Sequence, residues 1–223
     1  MMETVYAFLR DLAKNNNREW FQSHKDGYQE SLELVKDLAA EVLNGITQFD
    51  PTLGGIDPKD TLFRIYKDVR FSKDKTPYKT HFGCWMAKGG RKSTDAGYYL
   101  HLEPDNTFMA AGVHSPQKEQ LTLIRQEILY HPDAYLKVIN HPVIKNGYER
   151  AGKDDMLKKG PAGFPGDFKY LDELKYKHYI FVKNYVEPAV LQEDFPDQLI
   201  ADYRGLYPLV EYLNHAMSFT GNE

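Results

Sequence analysis

Between Thr61 and Val113 four stretches read as strands, Thr61–Val69, His81–Lys88, Gly97–Glu103 and Thr107–Val113, the first with Leu62, Arg64, Tyr66 and Asp68 on one face and Phe63, Ile65, Lys67 and Val69 on the other. Alternation with a period of two marks strands that send successive side chains to opposite faces. The connections between them run to eleven residues at most. A parallel crossover needs a dozen or more, so neighbours joined this closely pair antiparallel. Pro104-Asp-Asn106 has the composition of a hairpin turn. Tyr179–Tyr185 is a further extended stretch.

On both sides of this block the period is helical. Val5, Phe8, Leu9 and Leu12 mark a helix over residues 3–14. Asn17 is placed to cap a short helix over Arg18–His24, with Trp20 and Phe21 pointing inward. Tyr28, Leu32, Val35, Ala39, Val42 and Ile46 form one stripe along a long helix from Asp26 to Thr47. After the strands, Ser115 as N-cap and Pro116 at the first position open another helix. His131-Pro132 and His141-Pro142 each end a helix, the second running over Asp133–Asn140. Glu193–Met217 is a terminal helical region, with Pro208 placed to bend or divide it. Helices, then strands, then helices predict an α+β fold. Its antiparallel sheet has four to five strands (residues 61–113, with 179–185) flanked by N-terminal and C-terminal helices. At 223 residues the expectation is one domain over 1–223.

Hydrophobic content of 42% and charged content of 27% suit a packed chain and exclude a disordered one. No apolar run reaches 18 residues, so no membrane span is expected, and the charged N-terminus does not have the form of a signal peptide. The single cysteine, Cys84, excludes an intramolecular disulfide and any Cys-based zinc site, which fits a cytoplasmic location. A net charge of −4 and a pI near 6.1 argue against nucleic acid as a general partner.

Against this acidic background Phe63–Phe82 carries six Lys/Arg and two Asp, a local charge of +4 that leaves −8 on the rest. Arg64, Arg70, Lys73, Lys75 and Lys79 supply donors, and an arginine fork grips phosphate or carboxylate with two bonds. Phe71, Pro77 and Tyr78 are placed to anchor the loop. The stretch points to an anionic small molecule, with Tyr78 and His101 beside the basic residues and Asp68 or His81 handling protons. A histidine next to a cationic cluster has its pKa depressed and is available as a general base at neutral pH. The alternative is an interaction module without chemistry, in which Arg64, Asp68, Arg70 and Asp74 form an internal network. Nucleic-acid binding through the same loop is a third reading, opposed by the acidic remainder.

Tyr99, His101 and Glu103 share one strand face. The spacing of His101 and Glu103 can direct both toward one metal. Pairing across Pro104–Asn106 keeps His114 away from them, so a polar sheet face is expected and no metal. Cys84 is expected to be buried and inert. No motif names a cofactor: there is no Walker A, no Gly-x-Gly-x-x-Gly, no Gly-x-Ser-x-Gly and no His-Glu-x-x-His.

Four stretches carry a resemblance: Asn16-Asn-Arg-Glu-Trp-Phe21, Phe63-Arg64 with Asp68 through Lys79, Gly97 through Pro104, and Lys159 through Phe164 with Leu174-Lys-Tyr-Lys177 beyond it. With them the chain resembles the bacterial and fungal family known as domain of unknown function 2461. It departs at Ala110-Ala111, where that family often has glycines. The resemblance implies a one-domain, cytoplasmic α+β protein and carries over no activity, cofactor or catalytic residue.

Overall fold

The computed structural model describes residues 2–70 and 73–218. Three helices come first: α1 (Met2–Lys14), α2 (Arg18–Ser23) and α3 (Lys25–Thr47). Asn17 caps α2 as its position predicts, accepting from the Trp20 amide at 2.9 Å. Phe21 is buried, whereas Trp20 is half-buried and stacks on His24 at 4.0 Å. Five strands follow: β1 (Phe82–Met86), β2 (Gly97–Leu102), β3 (Thr107–Val113), β4 (Glu149–Arg150) and β5 (Tyr179–Tyr185). They make one antiparallel sheet in the order β1-β2-β3-β5-β4. Helices α4 (Lys118–Tyr130), α5 (Pro132–Ile139), α6 (Pro142–Gly147), α7 (Leu171–Leu174), α8 (Glu187–Val190) and α9 (Phe195–Ser218) complete an α+β fold.

Three expectations are corrected. Thr61–Val69 is not a strand: its backbone pairs with its neighbour only in isolated bridges at Leu62 and Tyr66. Helix α4 opens at Lys118 instead of Ser115, because Gln117 and Gln120 bond each other's backbone in a reciprocal cap. Ser115 has left-handed backbone (φ 52°) and donates its amide to His178 Nδ1 at 3.0 Å. Finally, Pro208 lies inside α9 without dividing it.

Backbone contacts sort the chain into two compact units. The first is Met1–Arg91, Tyr99–Met109 and Asn184–Ala201. Its core is the predicted stripe of α3 (Val35, Ala39, Val42, Ile46) with Val5, Leu9 and Leu12 of α1. Gly45 belongs to this packing, since a Cβ there would collide with Ile200. Two polar links tie α1 in: Tyr6 to Thr107, and Arg10 to Glu187.

The second unit is Lys92–Tyr98, Ala110–Lys183 and Asp202–Glu223. At its centre the Arg150 guanidinium lies 3.5 Å over the Tyr176 ring and is paired with Glu173. Tyr98 packs edge-on against Tyr203. Gly112 (φ 125°) lies so close to the Tyr179 carbonyl that no Cβ fits.

Candidate functional site

The site starts from a mismatch in backbone pairing within the first unit. Leu62 bridges Cys84, and Tyr66 bridges Tyr78. Three residues lie between Leu62 and Tyr66, but five lie between Tyr78 and Cys84. The second segment therefore holds two residues more than its partner, the condition of a bulge, which bends a strand and re-aims its side chains. This is why Thr61–Val69 forms only bridges.

Thr80 and His81 lie in the bulge and show its effect. In a regular strand consecutive side chains point to opposite faces. Here both reach toward β2 and its exit: Thr80 Oγ1 donates to Glu103 Oε1 at 2.7 Å, and the His81 ring centre is 4.2 Å from that of His101.

The predicted shared face of Tyr99, His101 and Glu103 is a linked chain of contacts. Tyr99 Oη is 3.0 Å from His101 Nδ1, and His101 Nε2 is 3.2 Å from Glu103 Oε2. Asn106 Nδ2 donates to the same carboxylate oxygen at 2.8 Å. Phe108 of β3 stacks on His101 with ring centres 4.7 Å apart. Gly83 leaves room for this arrangement, since a Cβ there would lie 2.8 Å from Tyr99 Oη. The Lys79 ammonium lies 5.5 Å over the Phe63 ring, and its charge acts on His81.

Burial sets the charge states. It depresses the His81 pKa to about 4, with His101 and the Lys79 and Lys67 charges acting the same way and Glu103 opposing. The direction agrees with the sequence argument, but burial outweighs the cationic neighbours. Burial also lowers His101 against the pull of Glu103. Glu103 is itself raised by burial, but the bonds from Asn106, Thr80 and His101 hold it below the usual range. Lys79 is lowered by burial and by the nearby Arg64 charge. Among the described residues no carboxylate pairs with Lys79. Tyr99 is raised to about 12, chiefly by burial.

The remaining predicted residues are placed differently. Asp68 and Arg70 face each other: Arg70 Nε donates to Oδ1 at 2.9 Å and Nη2 to Oδ2 at 2.6 Å, which keeps Asp68 ionised. Lys67 bonds Asp74 at 2.6 Å, and Lys75 reaches the Val69 carbonyl at 3.0 Å. Arg64 and Lys73 are exposed. Tyr78 is 2% exposed and stacks on Phe21 at 3.9 Å, while its backbone amide and carbonyl both bond the Asn16 side chain. It anchors the loop as expected, and Phe71 lies outside the described residues. A cleft of about 300 Å³ adjoins the loop, lined by Arg18, Gln22, Tyr66, Lys67, Val69, Pro77 and Tyr78. Cys84 is buried, and burial pushes its thiol up to about 12, far from a thiolate nucleophile.

His81, His101, Thr80 and Glu103 thus meet, with Phe108 stacked on His101 and the Lys79 charge acting on His81. His114 is not part of this group and stacks on His178 at 4.8 Å. The sequence held one signal for the meeting of His81 with Glu103. Antiparallel pairing across the turn at residues 89–96 brings the start of one stretch near the end of the next.

Neither a curated protein nor a solved structure matches the chain. A family described as conserved hypothetical protein (DUF2461) matches residues 4–212, a span that contains both Asn16–Phe21 and the bulged segment that Asn16 and Phe21 hold. The chain belongs to the DUF2461 family.

Proposed function

We propose that this protein binds a small anionic ligand, phosphate- or carboxylate-bearing, beside Lys79, His81 and His101. Lys79 carries this reading. A half-buried ammonium over an aromatic ring, depressed by burial and by Arg64, with no carboxylate on it among the described residues, is stabilised by an incoming anion. Arg64 adds positive potential from the exposed side. His81 is neutral at pH 7 and offers the ligand a ring nitrogen for a hydrogen bond without adding charge.

Thermal denaturation with inorganic phosphate and with small carboxylates tests the proposal in chelator-treated protein. Ligand at about a hundred times its dissociation constant stabilises by about 2.7 kcal/mol and raises the midpoint. Lys79→Met should abolish that rise. A rise that survives Lys79→Met, or no rise with any anion, contradicts the proposal.

A second reading, an interaction surface, is favoured at the loop tip by one observation. Arg70, Lys67 and Lys75 bond within the loop, to Asp68, Asp74 and the Val69 carbonyl. The pairs are exposed, so they contribute little to stability. Asp68→Ala is expected to leave the melting midpoint nearly unchanged, and global unfolding of that variant would mark the pair as architectural.

A further inference from the structure

We infer that His81, His101 and Glu103 form a binding site for a divalent first-row transition metal, with zinc as its natural probe. The inference rests on the same sheet-face site as the anion proposal and names a second species there. One ligand atom from each residue lies within 4.8 Å of the other two. Two histidines and one carboxylate match the donor preference of such ions. Bonds of about 2.0–2.2 Å to a shared zinc bring ligand atoms to roughly 3.5 Å, so closure asks for about 1 Å of side-chain movement. Three protein ligands leave a tetrahedral ion one open position, which an anion near Lys79 suits.

The surroundings argue for ligands held in place. His101 has both ring nitrogens engaged, Nδ1 with Tyr99 Oη at 3.0 Å and Nε2 with Glu103 Oε2 at 3.2 Å. When the metal takes Nε2, the proton sits on Nδ1 and Tyr99 turns from donor to acceptor, so an oriented imidazole is kept. Phe108 stacked on the ring fixes its plane. Glu103 is held at both oxygens, by Thr80 and by Asn106. His81 reaches the pair from a segment that holds two residues more than its partner.

Zinc titration of the chelator-stripped full chain by isothermal calorimetry tests this inference. Binding should be one to one. His81→Gln and Glu103→Gln should each weaken it by at least tenfold, and Tyr99→Phe, which removes no ligand, by about tenfold with unchanged stoichiometry. His178→Gln, in the separate group with His114 and Asp155, should leave the affinity unchanged. In the unaltered protein, zinc should move the ring resonances of His81 and His101 and leave those of His114 and His178 in place, a readout independent of whether any variant folds. No binding at millimolar zinc, or resonance shifts confined to His114 and His178, overturns the inference. Phosphate stabilisation in chelator without zinc binding would overturn the metal site alone. Zinc binding without an anion response lost in Lys79→Met would overturn the anion proposal alone.

Discussion

Lys79 and His81 are two residues apart, and burial drives both toward their neutral forms. For His81 this sets the sign of a pH effect in metal-free protein. Its folded pKa of about 4 lies below the ordinary 6.5, so between those values the unfolded chain holds the extra proton. The stability from the neutral ring is therefore present above about pH 6.5 and is lost as pH falls through about 4. His101 shifts in the same direction. Glu103, held below its ordinary range, adds a loss that begins below pH 4.5. Urea denaturation across this range should show stability declining toward acid, and His81→Gln should flatten the decline. NMR titration of the ring should place its pKa well below 6.5, and a value at or above 6.5 contradicts the burial argument.

At the scale of elements, the turn before α2 holds the bulged segment. Asn16 bonds both backbone polar groups of Tyr78, whose ring is stacked on Phe21. Asn16→Ala leaves that amide and carbonyl without their partner, at a cost of about 1–3 kcal/mol. It should lower the urea midpoint without changing the slope, and a midpoint equal to wild type would mean the clamp is incidental. In the second unit, Gly112→Ala forces a Cβ toward the Tyr179 carbonyl from a backbone that favours glycine. The expected loss exceeds about 4 kcal/mol, read as lost soluble yield or a collapsed urea midpoint. A midpoint near wild type would show that β3 and β5 have room to spread.

The elements also show what the sequence conveyed. The stripe from Val35 to Ile46 was legible because it follows one period and buries one face, as Tyr179–Tyr185 does through Tyr179, Phe181 and Tyr185; Thr107–Val113 was legible as a short apolar run of strand length, buried at all but Phe108. Thr61–Val69 alternates as well, but a strand needs a partner of equal count, and the two extra residues sit in the other segment. Strand β4, two residues long, is too short to leave any alternation. Ser115 has the chemistry of a helix cap, yet its amide goes to His178, some sixty residues on, and local chemistry does not carry that information. The common face of Tyr99, His101 and Glu103 follows from a period of two, whereas the arrival of His81 beside them depends on the bulge.

Across the whole molecule the charge distribution separates the two kinds of anion. The chain is net −4, and three of the loop's cations are already bonded within the loop. That suits a small ligand better than a polyanion. Fluorescence polarisation with labelled oligonucleotides should show no tight binding at physiological salt. Binding that weakens steeply as salt rises would contradict this. Among the described residues no helix is long and apolar enough to cross a membrane. The family match spans both units and includes the Asn16–Phe21 turn together with the segment it holds, so the clamp and the bulge belong to one matched stretch of chain.

If the bulge brings Lys79, His81, His101 and Glu103 into one ligand site, an anion is felt along both segments that carry them. The most direct measurement is a two-dimensional amide NMR titration of the chelator-treated protein with inorganic phosphate. Saturable shifts are expected, concentrated at residues 79–83 and 99–103, and they should disappear in Lys79→Met. Shifts confined to the loop tip around Arg70 and Lys75, or none that saturate, would contradict it.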